Sequence, residues 1–150
     1  MPQSLSRLYV HLVFSTKDRF PFLDDAFRPD LHTVMGGILR DIGSPAVLIN
    51  SVEDHVHALL IQSKTDSIAG IVNKLKSNSS KWVHDKFAAL ANFHWQSGYG
   101  AFSVSQSNVK AVAKYIENQR EHHRTQSFQA EFRDFLVRHE VEFDERYVWD

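Results

Sequence analysis

The chain predicts an α+β fold, an antiparallel sheet with helices packed on it, because short β-branched runs alternate with long helical stripes along its 150 residues. Their order is strand, helix, strand, strand, helix, strand, helix. That is the order of a ferredoxin-like, split βαβ unit, with a C-terminal helical region added. The length suits one compact domain over residues 1–150 with a single core.

Each element has a local cause. Leu8 to Ser15, LYVHLVFS, is dense in β-branched and aromatic residues and ends at the turn-prone TKDR and FPFLDD, so it reads as a core strand. Asp24 or Asp25 caps a helix to about Asp41, in which Phe27, Leu31, Val34, Met35, Ile38 and Leu39 recur at helical spacing before Gly43 stops it. Ala46 to Ser51 and Val56 to Ile61 are apolar runs parted by the polar VEDH, a hairpin. Asp66 or Ser67 opens a long helix to about Leu90, with Ile68, Ile71, Val72, Leu75, Trp82, Val83 and Phe87 on one stripe. In NFHWQSGYGAFSVS, Gly98 and Gly100 precede an alternation of Phe102 and Val104 with serines, a loop into a fourth strand. Ser105 or Ser107 caps a helix from about Asn108 to His123, and Phe128 to His139 forms another, short and amphipathic.

Composition narrows the function classes. With 43% hydrophobic and 23% charged residues and no apolar run near the roughly 20 residues of a membrane span, the chain reads as an ordinary soluble protein. MPQSLSRLYV has neither a secretory signal nor a transit-peptide pattern, so a cytoplasmic location is expected. The absence of cysteine leaves a metal to histidine, carboxylate or amide ligands, and nine histidines are present. The formal net charge of −1 hides an asymmetry: Glu131 to Asp150 holds seven acids against three bases, whereas Lys64 to Arg124 holds nine bases against four acids. A basic middle permits a phosphate-binding surface, to which Lys74, Lys76 and Lys81 would contribute unless they are a solvated face.

Two motifs carry chemistry. In Asp54-His55-Val56-His57 the histidines are two apart, so on a strand both imidazoles leave the same face and supply half a metal site. In KYIENQREHHR, Tyr115 and Gln119 are four apart, stacked on one helical face with Asn118 and His122 close by. Alone, each motif reads more readily as a strand-edge pair of histidines, a core-edge tyrosine or a solvated amide. Trp95, Tyr99 and Phe102 are core aromatics or base-stacking platforms. His11 reads as a satisfied buried histidine or a group behind the metal ligands, and His122 and His123 stand near enough to tune the tyrosine's proton.

Together, DHVHALL, LKSNSSKW, WQSGYGAFSVS and YIENQREHH resemble, in this order and spacing, the single-tyrosine HUH transposases of small insertion sequences, a likeness running from YVHLVFSTKDR to about Arg124. The resemblance implies a divalent metal, Mg²⁺ or Mn²⁺, on His55, His57 and Gln119, with Tyr115 as the nucleophile. It implies cleavage and rejoining of single-stranded or hairpin DNA through a 5′-phosphotyrosine. It further implies a homodimer in which the tyrosine helix of one chain completes the histidine site of the other. A non-catalytic DNA-binding regulator derived from such an enzyme is the alternative; His-x-His barrel hydrolases need roughly 250 residues and jelly rolls about eight strands.

Overall fold

A computed structural model describes residues 2–150. Strands β1 (Tyr9–Ser15), β2 (Ala46–Ser51), β3 (His55–Ile61) and β4 (Gly100–Val104) form one antiparallel sheet in the order β2-β3-β1-β4. The helices are α1 (Arg28–Asp41), α2 (Ile68–Lys86), α3 (Val109–Glu117), α4 (Gln119–Thr125) and α5 (Phe128–Arg138). This is the ferredoxin-like arrangement with helices added at the C-terminal end.

Strand alternation divides the sheet into two chemically different faces. Val10, Leu12 and Phe14 of β1 and Val56, Ala58 and Leu60 of β3 share a core with Leu31, Met35 and Leu39 of α1 and Ile71, Val72, Leu75 and Val83 of α2. The intervening positions turn to the other face. There Val13 and Phe102 pack with Phe128, Phe132, Phe135 and Leu136 of α5. In the β1–β3 register, Val13 faces His57 and Ser15 faces His55, so the histidines sit mid-sheet on the face that α5 covers.

Three elements differ from expectation. Asp24 does not cap α1: its Oδ1 accepts from Ala26 and Phe27, closing a turn ahead of a helix that begins at Arg28 with Pro29 in its first turn. The helix opened by Ser67, whose Oγ accepts from the Gly70 amide, ends at Lys86, and Ala88–Leu90 form a separate single turn. The helix expected from Asn108 to His123 is broken at Asn118 (φ −95, ψ 26). The Asn50 side chain caps the break. Its Nδ2 donates to the Ile116 and Glu117 carbonyls at 2.8 and 3.2 Å, satisfying the last acceptors of α3 from β2.

The docking of α5 depends on Gly100 of β4. A Cβ there would lie 2.4 Å from Phe132 Cε2, so only glycine lets the helix approach this closely. The chain end is tied to the same edge, since the Asp150 carbonyl accepts from the Gly98 amide at 2.8 Å and Trp149 packs on Phe128 and Phe132.

Candidate metal and tyrosine site

His55 and His57 have no exposed surface, and each ring is anchored from behind. His55 Nδ1 donates to the Asp54 carboxylate at 2.7 Å, and His57 Nδ1 shares a 2.8 Å hydrogen bond with Nε2 of His11. Both Nε2 atoms therefore face Glu131 of α5, whose Oε1 lies 3.0 Å from His57 and 3.5 Å from His55. His123 Nε2 of α4 comes to 3.4 Å of the same oxygen. The other carboxylate oxygen, Oε2, accepts the Tyr115 hydroxyl. Nucleophile candidate and histidine cluster thus meet on one side chain.

The kink at Asn118 decides where the tyrosine's neighbours go. Tyr115 ends half-buried, its ring stacked on His122 at 4.2 Å between centroids. Gln119, as the first residue of α4, turns inward and is fully buried instead of stacking over Tyr115 on one continuous helical face. Its Oε1 lies 3.1 Å from His123 Nε2, and its Nε2 has no hydrogen-bond partner among the described residues. Tyr115, His55, His57 and Gln119 all lie at this site. His123, expected only to tune the tyrosine's proton, and Glu131, to which the sequence assigned no role, complete it. A signal for Glu131 existed: with Phe128, Phe132 and Phe135 it occupies the apolar stripe of α5, where an unpaired carboxylate is costly.

The electrostatics follow from burial and from the carboxylate. Burial lowers His57 to about 4 and His11 to about 3, Glu131 offsetting only part of this. Burial also works against a charged His55, but Asp54 and Glu131 outweigh it and raise that imidazole. For Glu131, burial favours the neutral acid, and the facing His123, His55 and His57 overcome it, holding the carboxyl far below its usual range. Burial and then the Glu131 carboxylate push the Tyr115 phenol well above its ordinary range.

These shifts have a consequence for stability. An unfolded histidine titrates near 6.5 while folded His57 resists protonation to about 4, so its stabilising effect is lost as the pH falls through that window. His57 alone accounts for on the order of 3 kcal/mol. Glu131 adds in the same direction below the normal carboxylate range, and the raised His55 does not oppose it, because its own contribution is complete below 6.5. Thermal melts of the metal-free protein should show Tm falling from about pH 6.5 to pH 4; a flat profile would contradict the buried neutral His57.

The donor set suits a metal ion. His55, His57, His123 and Glu131 each offer one ligand atom, and these atoms lie within 4.8 Å of one another. His55 Nε2 is buried without a hydrogen-bond partner among the described residues, and with Nδ1 held by Asp54 it is the ring nitrogen turned to the cluster. Imidazole and carboxylate ligands fit a divalent ion of the first transition row.

The lysines lie elsewhere. They project from α2, across the sheet from the histidines. Lys74 pairs with Asp66 at 3.5 Å and Lys81 with Asp85 at 2.6 Å, both exposed. Lys76 is no free surface cation: its Nζ donates to the Gln96 and Gly98 carbonyls at 2.8 and 2.6 Å, and burial lowers its pKa to about 8. Lys76→Met should therefore destabilise the protein by about 1–3 kcal/mol in denaturant melts, by stranding those acceptors. Of the aromatics, Trp95 and Phe102 are buried, Trp95 donating to Ser79 Oγ at 3.0 Å, whereas Tyr99 is exposed beside Lys76.

Known proteins resemble the chain in sequence and in fold. The family model described as "Transposase IS200 like" matches residues 4–119. The ISDra2 transposase TnpA of Deinococcus radiodurans is 25% identical over 118 residues, covering 75% of this chain and 84% of the relative. A crystal structure of a candidate transposase from Deinococcus radiodurans R1 superposes with a TM-score of 0.64 at 27% identity, covering 79% of this chain and 98% of that one. The structure of a REP-associated tyrosine transposase bound to a REP hairpin shares the fold, with a TM-score of 0.59 at 14% identity over 82% of this chain and 74% of that one.

Proposed function

The chain belongs to the IS200-like transposase family, and from that premise we propose that it cuts and rejoins single-stranded DNA at hairpin-bearing ends through a 5′-phosphotyrosine. The observation that carries this reading is the Glu131 carboxylate, which touches the Tyr115 hydroxyl on one side and the paired imidazoles on the other. A tyrosine nucleophile and a metal-ligating histidine pair must meet within the width of one phosphate, and that carboxylate spans such a gap.

In the reaction, the Tyr115 oxygen bonds to the scissile phosphorus as its proton departs, the bond from phosphorus to the 3′ oxygen breaks, and a 3′-hydroxyl is released. Reversal by another 3′-hydroxyl reseals the strand, so bond energy is conserved and no nucleotide is consumed. Asp54 and His11 orient the imidazoles from behind. The stacked His122 ring holds the phenol in place. A Mg²⁺ or Mn²⁺ ion on His55, His57 and Gln119 would screen the phosphate charge and fix its oxygen.

The partner we propose is single-stranded or hairpin DNA in the cytoplasm, a reading supported by the neighbour solved with a REP hairpin. Lys74 and Lys81 would contact backbone phosphate. Residues 1–150 would act as one catalytic unit. Family resemblance suggests a homodimer, yet Tyr115 already reaches the Glu131 of its own chain, which supports an active site assembled within one chain.

The test is incubation with labelled hairpin-bearing single strands and Mg²⁺ or Mn²⁺, followed by a denaturing gel. A covalent protein–DNA adduct is expected. Tight binding without any adduct would instead identify a DNA-binding regulator.

A further inference from the structure

The family model ends at residue 119, but the group that faces both histidines comes from beyond it. Glu131 Oε1 has imidazole Nε2 atoms at 3.0, 3.4 and 3.5 Å, from His57, His123 and His55. The orientation of His55 makes this arrangement informative. Its Nδ1 is held by Asp54, so its Nε2, which has no hydrogen-bond partner among the described residues, is the nitrogen turned to the Glu131 carboxylate. Imidazole nitrogens and a carboxylate oxygen converging within 4.8 Å in a buried site form the donor set and spacing that a divalent cation takes. Gln119 is less free to serve, because its amide oxygen already meets His123 Nε2 at 3.1 Å.

Resting on the metal-dependent reading above, we infer that Glu131 is itself a ligand of the bound cation in the DNA-free protein, so that α5 closes a His55–His57–Glu131 site which the residues matched by the family model, 4–119, do not contain by themselves. The carboxylate lies between the Tyr115 hydroxyl and the imidazoles, the space a scissile phosphate must fill. It would therefore be the ligand that a bound phosphate displaces. A hard anionic oxygen beside two imidazoles suits Mn²⁺ and raises its affinity over a neutral amide in that position.

The experiment is titration of the chelator-stripped full chain with Mn²⁺, following free Mn²⁺ by electron paramagnetic resonance. Glu131→Gln, nearly isosteric, should weaken Mn²⁺ binding at least about tenfold, and Glu131→Asp should recover part of the loss. Glu121→Gln, which removes an exposed charge on the neighbouring helix, should bind as wild type. Wild-type affinity in Glu131→Gln, with His57→Ala binding lost, overturns this inference and leaves the metal-dependent reading intact. Wild-type affinity in His57→Ala, or no Mn²⁺ binding at all, overturns that reading instead. Anomalous diffraction from wild-type crystals grown with Mn²⁺ gives an answer that no variant's folding affects. The ion should sit about 2.1 Å from Glu131 Oε1, and an ion on the histidines with Glu131 turned away would refute the assignment.

Discussion

Tyr115→Phe should abolish the covalent DNA adduct, lowering its rate of formation by at least about 10⁴-fold, as removing the nucleophile does where no other group can replace it. The fold should survive. Only the hydroxyl is lost, and the half-buried ring keeps its stack on His122 and its edge contact with Phe135. Glu131 loses one partner but retains His57 at 3.0 Å, so the expected cost is within about 1.5 kcal/mol. Denaturing gels and thermal melts measured side by side decide the matter. An adduct that persists in the variant would remove Tyr115 from the nucleophile's place, and a collapse in Tm would make the phenol a structural group.

His57→Ala should instead damage fold and chemistry together. The ring is fully buried between β1 and α5, and removing it opens a cavity, strands His11 Nε2 and takes away the nearest partner of Glu131 Oε1. We expect a loss of about 2–4 kcal/mol in stability, seen as a Tm lower by roughly 5–10 °C. Adduct formation should fall below detection even at temperatures where the variant is folded, because half of the histidine pair is gone. Normal cleavage by folded His57→Ala would sink the metal site, whatever the stability change.

The two predictions differ in how far each residue was legible. His55 and His57 announced themselves, since a two-residue spacing on a strand sends both imidazoles to one face whatever else the chain does. Tyr115 and Gln119 suggested a shared helical face, and that inference failed at Asn118. The break is capped by Asn50, a residue 66 positions from Ile116 in the chain, and no local pattern in KYIENQREHHR records that partner. Glu131 was legible only as an anomaly, a carboxylate in a phenylalanine stripe. Lys76 looked like its exposed neighbours Lys74 and Lys81, because a lysine's partners, here the Gln96 and Gly98 carbonyls, come from a loop folded over it.

What the sequence determined by itself was therefore everything carried by short-range periodicity: four strands, the long amphipathic helices, and a pair of histidines sent to one face of the sheet. Those features depend on backbone geometry that repeats every two or 3.6 residues, and the residues themselves encode it. Only the tertiary structure decided that α5 packs against Gly100, that Glu131 meets Tyr115 and three imidazoles, and that Gln119 turns inward. Such contacts join segments far apart in the chain, so their energy belongs to the packed sheet and its covering helices and to no single stretch of residues.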